Sequence, residues 1–152
     1  MSAPNVMRGE WKGGYEFDVG RGDGVPTLRL DGNRKAGQSP VDALLSALAA
    51  CAGIDVVDIL AKRRTPVETL TVEASGTRRE QPPRRFERIT LTFEITGAGI
   101  ERVHAERAVQ LAFEKYCSVA ATLAPDIQVE TVVVLNGERG APIGQLIFTE
   151  KA

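Results

Sequence analysis

Two cysteines are the residues in this chain whose type and setting could do chemistry. Cys51 sits in the middle of LLSALAACAGIDVVDIL and Cys117 in EKYCSVAATL. A thiolate is a nucleophile, whereas a cysteine buried in an apolar helix is an inert small hydrophobe. Helix context alone leaves both readings open for Cys51. Cys117 stands where a short helix would begin, and the free N–H groups there favour a thiolate. The bland alternative is a packing residue at a helix start. Asp55 and Asp58 follow Cys51 by four and seven residues and share its helix face. They read as a solvated or dimer-edge stripe, because a carboxylate beside a thiol raises its pKa and works against nucleophilicity. His104 lies between Glu101 and Arg107 and reads as polar helix surface, not as a base or ligand. Two cysteines and one histidine do not supply an ordinary structural zinc site, so neither a metal nor another cofactor is expected.

The elements that must position these sulfurs are legible in the hydrophobic pattern. NVMRGEW and YEFDV are strand candidates joined at Gly13-Gly14, a hairpin signal, and PTLRL follows the RGDG turn. DGNRKAGQ is a loop. SPVDALLSALAACAGIDVVDILAKRR is the clearest helix, with Ser39 as its cap, Pro40 at its first position and Asp42 completing a capping box. Lys62, Arg63 and Arg64 favour its C-terminal dipole, and Pro66 stops it. Its middle is apolar on most sides, which predicts a central buried helix. TLTVEAS and RITLTFEIT alternate as half-buried antiparallel strands do. GIERVHAERAVQLAFEKY is a second, amphipathic helix, with Val103, Leu111 and Phe113 among its apolar positions. CSVAATLAP is a separate helical turn or two, IQVETVVVL a strand, and PIGQLIF a last one. Strands and helices are segregated along the chain, so the fold class is α+β in one domain, 1–152.

Composition excludes several functions. With 43% hydrophobic and 26% charged residues and a net charge of −1, the chain has no basic excess for nucleic acid. MSAPNVMRGEW lacks the pattern of a signal peptide, and Asp55 and Asp58 interrupt the apolar helix, so neither secretion nor a membrane is expected. A cytoplasmic location follows as the default, and thiols there stay reduced.

GQSPVDALLSALAACAGIDVVDIL, PPRRFERITLTFEITG and ERAVQLAFEKYCSVAATL together resemble the OsmC/Ohr family (osmotically induced protein C and organic hydroperoxide resistance protein). The resemblance runs from the N-terminal strands to Leu135 and looks closest to an OsmC-like branch without an assigned substrate. It implies an intertwined homodimer, a curved antiparallel sheet from each subunit with two central helices between them. It also implies a thiol peroxidase acting on a small organic hydroperoxide. Cys51 matches the cysteine that attacks and becomes a sulfenic acid. Cys117 matches the one that closes a disulfide, which a dithiol reductant then opens. The family steadies its thiolate with an arginine and a glutamate; the matching positions here are Tyr15 and Val41. Arg8 and Arg21 are the substitutes for the arginine, since Arg29 points away from the apolar face of Leu28 and Leu30. Asp42 lies nine residues before Cys51, near the opposite helix face, and is a cap. The rival functions are a non-catalytic OsmC-like protein holding an apolar or acyl ligand in a groove beside Leu44 and Leu48, and a thiol redox sensor.

Overall fold

The computed structural model describes residues 2–147, which fall into two compact units, one ending at Leu44 and the other beginning at Leu45. The first unit holds a three-stranded antiparallel sheet in the order β1 (Arg8–Gly13), β2 (Glu16–Gly20), β3 (Leu28–Asp31). The β1–β2 hairpin turns where Gly13 and Gly14 take φ of +106° and +53°, the left-handed region that glycine enters without steric cost. Across β2 and β3, Arg29 is held by Asp18 and Glu16. After β3 the loop is organised by the buried carboxylate of Asp31, which accepts hydrogen bonds from the backbone N–H groups of Asn33, Lys35 and Ala36.

That loop delivers the chain to helix α1 (Pro40–Lys62). The capping box forms as the sequence predicts: Asp42 N–H donates to Ser39 Oγ and Ser39 N–H to Asp42 Oδ2, each at 3.1 Å. Arg34 adds an ion pair at 2.7 Å and, with Ser39, holds the Asp42 carboxyl at about 2. Both carboxylate oxygens are therefore committed to the helix start. Ser39→Ala should cost about 1 kcal/mol and lower the melting temperature by about 2–4 °C, measured by thermal denaturation. At the other end Arg64 adopts φ +67°, and Thr65 N–H closes on Leu60 O at 3.0 Å, ending the helix just before Pro66.

The second unit is built on a five-stranded sheet whose main path is β4 (Thr69–Arg78), β5 (Phe86–Thr96), β6 (Gln128–Leu135) and β7 (Glu138–Arg139), with β8 (Ile143–Gln145) also on β6. β4 and β5 are antiparallel, but β5 and β6 run parallel. The sheet is thus mixed: the pair that alternates in the sequence is antiparallel, while the family resemblance implies an antiparallel sheet as a whole. A parallel neighbour needs a long crossover, and the second helical segment supplies it: α2 (Arg102–Leu111), a π-helical turn (Ala112–Tyr116) and α3 (Ser118–Thr122). Ile89, Leu91, Phe93 and Ile95 of β5 and Val129, Val133 and Leu135 of β6 are buried. Ala105, Ala108, Val109, Ala112 and Phe113 form the buried face of the crossover, whereas Val103 is 64% exposed and belongs to the opposite face. Arg102 pins α2 to the sheet, donating to Val133 O at 3.1 Å and Glu138 O at 2.6 Å.

Helix α1 buries one stripe, Leu48, Ala52, Val56 and Leu60, at the four-residue spacing of a single helix face. Gly53 lets it lie close to the sheet, for a Cβ there would meet Val72 Cγ2 at 3.3 Å and Leu70 Cδ2 at 3.6 Å. The other side stays open, with Ile54 at 68% and Val57 at 41% exposure. Within one chain α1 is therefore half-covered, not fully buried as its apolar middle predicts. By length and composition alone it could cross a membrane, despite its two aspartates.

Candidate active site

Cys51 lies on α1 at the border between its buried stripe and its open apolar side, and it is half-buried. Asp55, one turn later, projects from the same face. Cys117 arrives from the crossover. The π-helical turn closes with Cys117 N–H on Ala112 O at 2.7 Å, a five-residue step that breaks the α-helical phase before the chain extends. Cys117 then caps α3, its Sγ accepting from Ala120 N–H at 3.4 Å. The result brings together Cys51 Sγ, Cys117 Sγ and a carboxylate oxygen of Asp55, all within 4.8 Å of one another. Both cysteines are free thiols.

The two sulfurs are not equivalent. Cys117 is only 2% exposed. Burial is the main influence on its thiol; the Ala120 N–H pulls the other way, while a hydrogen bond to Cys51 and the charges of Cys51 and Asp55 add to the rise, to about 12. The expectation of a thiolate stabilised at a helix start is thus overturned: one backbone donor does not offset desolvation in the core. Cys117 keeps its proton at neutral pH. Cys51 is the sulfur within reach of solvent. Iodoacetamide should therefore label Cys51 well before Cys117 in the folded, reduced protein at pH 7–8, with equal labelling in urea; peptide mass mapping reads the order.

Asp55 corrects a second expectation. Asp58 is solvated as predicted and pairs with Lys62 at 2.8 Å. Asp55 instead turns toward the thiols, its Oδ2 buried and without a hydrogen-bond partner among the described residues. Burial first, then the nearby Asp58 carboxylate, push its carboxyl above the ordinary value. Its i+4 spacing from Cys51 was the signal in the sequence; which of two aspartates on one face would turn inward was not. His104 behaves as helix surface, between Glu101 at 3.4 Å and the Arg63 guanidinium at 2.6 Å. Of the two leucines named for an apolar groove, Leu48 is 1% exposed and packed in the core, whereas Leu44 is 41% exposed.

Arg8 and Arg21 both belong to the first unit. Arg8 opens β1, and its side chain lies over Gly22, with Cδ 3.6 Å from where a Cβ would stand. Arg21 follows β2 and pairs with Asp23 at 2.7 Å. The second unit itself brings the carboxylate of Asp55 to the thiols.

The family model described as OsmC-like protein matches residues 31–132, which takes in α1, β4, β5, the crossover, both cysteines and the first part of β6. The chain belongs to the OsmC-like family. This OsmC-like chain is 37% identical over 123 residues to protein YhfA of Escherichia coli K12, covering 80% of the chain and 91% of YhfA. It superposes on a hypothetical protein from Aquifex aeolicus VF5 with TM-score 0.79 and 26% identity, covering 89% of this chain and 98% of that one. It also matches the organic hydroperoxide resistance protein OhrB of Bacillus subtilis with TM-score 0.55 and 20% identity, over 86% of this chain and 98% of that one. The likeness to OhrB is one of fold alone.

Proposed function

We propose that this OsmC-like protein is a thiol-dependent peroxidase that reduces organic hydroperoxides in the cytoplasm. The observation that carries the reading is the meeting of two free thiols from different helices, one half-exposed and one buried and protonated. Cys51 Sγ attacks the terminal oxygen of the hydroperoxide. The O–O bond breaks, Cys51 becomes a sulfenic acid, and the alkoxide leaves and takes a proton as an alcohol. Cys117 Sγ then attacks the sulfenic sulfur, its proton leaving with the hydroxyl as water, and a Cys51–Cys117 disulfide forms. A dithiol reductant reopens it by exchange, supplying two electrons and two protons. Ala47 and Ala50 are exposed on the same helix as Cys51 and favour an apolar tail over hydrogen peroxide. Single alanine variants of Arg8 and Arg21 test whether either arginine steadies the Cys51 thiolate, read as slowed turnover. The open apolar side of α1 is covered by a second copy in a homodimer. Light scattering at low concentration checks this by giving a two-chain mass. The test of function is consumption of cumene hydroperoxide with a dithiol, run beside hydrogen peroxide: turnover of the organic substrate should be the faster. No turnover of either would leave the apolar-ligand reading ahead.

A further inference from the structure

The thiol pair has a third member that the peroxidase reading does not use. Asp55 sends a carboxylate oxygen to within 4.8 Å of both sulfurs, and its Oδ2 is buried with no hydrogen-bond partner among the described residues. A carboxylate oxygen left in that position is costly unless something compensates it. Two sulfurs lie beside this carboxylate, and as thiolates they would add like charge. A cation at the centre of the three would satisfy all of them at once. We infer that Cys51, Asp55 and Cys117 form a binding site for a thiophilic divalent cation, Zn²⁺, alternative to their reaction with peroxide.

Donor type selects the ion. Two soft sulfurs and one oxygen are a poor set for Mg²⁺ or Ca²⁺, which take six or more oxygens, and a good one for zinc. Geometry agrees. At zinc bond lengths of about 2.3 Å to sulfur and about 2.0–2.2 Å to oxygen, tetrahedral ligands stand roughly 3.5–3.8 Å apart. The three donors already lie inside 4.8 Å, so rotamer adjustment of about 1 Å or less closes the site. The scaffold is also suited to it. Cys51 and Asp55 share one face of α1 at i, i+4, a spacing that brings two side chains to one point. Cys117 is fixed at the cap of α3, and the Ala120 N–H that donates to its Sγ at 3.4 Å is the kind of outer hydrogen bond that orients a metal-bound thiolate. Three protein ligands leave a fourth position for water. Loading releases the two thiol protons to solvent and leaves two thiolates and a carboxylate around a 2+ ion. With both sulfurs engaged, the loaded protein resists peroxide, and oxidation to the disulfide removes two of the three ligands and frees the ion. Counting only cysteine and histidine, as the sequence invites, overlooks this set because its third ligand is a carboxylate.

The test uses full-length reduced protein, freed of metal, without peroxide present. Titration with Zn²⁺ against a chromophoric chelator should give one ion per chain, and Co²⁺ should show the thiolate charge-transfer absorption and the visible bands of a tetrahedral site. Asp55→Asn, which keeps the side chain's shape, should weaken Zn²⁺ binding about tenfold or more, and Cys51→Ser should abolish the cobalt charge-transfer signal of a two-thiolate site. Asp58→Asn should bind as wild type does, and far-UV circular dichroism confirms that each variant is folded. Absence of stoichiometric Zn²⁺ binding by the folded wild type, or binding unchanged by both Asp55→Asn and Cys51→Ser, would overturn the inference. Peroxide turnover measured in excess chelator is read separately, so failure of one reading leaves the other standing.

Discussion

Cys51→Ser leaves hydroperoxide consumption at the rate of the dithiol reductant alone, whereas Cys117→Ser supports a first oxidation and then inactivates. The asymmetry follows from where the sulfurs sit. Cys51 is the half-exposed thiol, and without it no nucleophile remains, since Cys117 is 2% exposed and holds its proton. A hydroxyl in place of the thiol does not substitute, because serine has neither the acidity nor the nucleophilicity of cysteine. Removing Cys117 spares the attack but leaves the Cys51 sulfenic acid with no thiol to condense with. It should then climb to sulfinic and sulfonic acid. Stopped assays with successive additions of cumene hydroperoxide separate the two variants: no burst in Cys51→Ser, and a burst near one equivalent without turnover in Cys117→Ser. Equal activity in both variants would contradict the assignment of roles.

Phe113→Ala should be the most destabilising single change near the site, costing about 3–5 kcal/mol. Phe113 is fully buried in the π-helical turn, four residues before Cys117. Truncation removes its apolar contacts and opens a cavity in a core that also contains Phe93, Val109 and Ala112, each with no exposed surface. The melting temperature should fall by about 10 °C. Because Phe113 anchors the turn that presents Cys117, labelling of Cys117 by iodoacetamide should speed up in the same variant. Tyr116, three residues on and 49% exposed, is the control: its alanine variant should lie within about 0.5 kcal/mol of wild type. A Phe113→Ala protein as stable as wild type, with Cys117 still protected, would show that the turn is held by something other than this ring.

Much of this was written in local pattern. The capping box at Ser39 and Asp42, the alternation in β4 and β5, the hairpin at Gly13-Gly14 and the break before Cys117 are each set by neighbours in the sequence. What escaped is decided by distant contacts. The parallel pairing of β5 with β6 depends on the crossover packing, which strand alternation does not encode. The π-helical turn has no sequence signature, yet it sets where Cys117 emerges. Asp55 and Asp58 look alike on a helical wheel; only the neighbouring chain segments turn one inward and leave the other with Lys62. The two readings of Cys117 are separated in the same way, since a helix-start position shows in the sequence and the depth of burial does not. The half-open α1 marks the other limit: an apolar sequence says a surface must be covered, not by what.

In the proposed cycle Cys51 and Cys117 form one redox couple. Intact-mass spectrometry of the reduced wild-type protein, before and after excess cumene hydroperoxide, addresses it most directly, with peptide mapping of the product. Loss of two hydrogens per chain and a single cross-linked peptide pair joining Cys51 to Cys117 are expected. An unmodified mass under excess peroxide, or oxygen added to Cys51 with Cys117 still a free thiol, would contradict it.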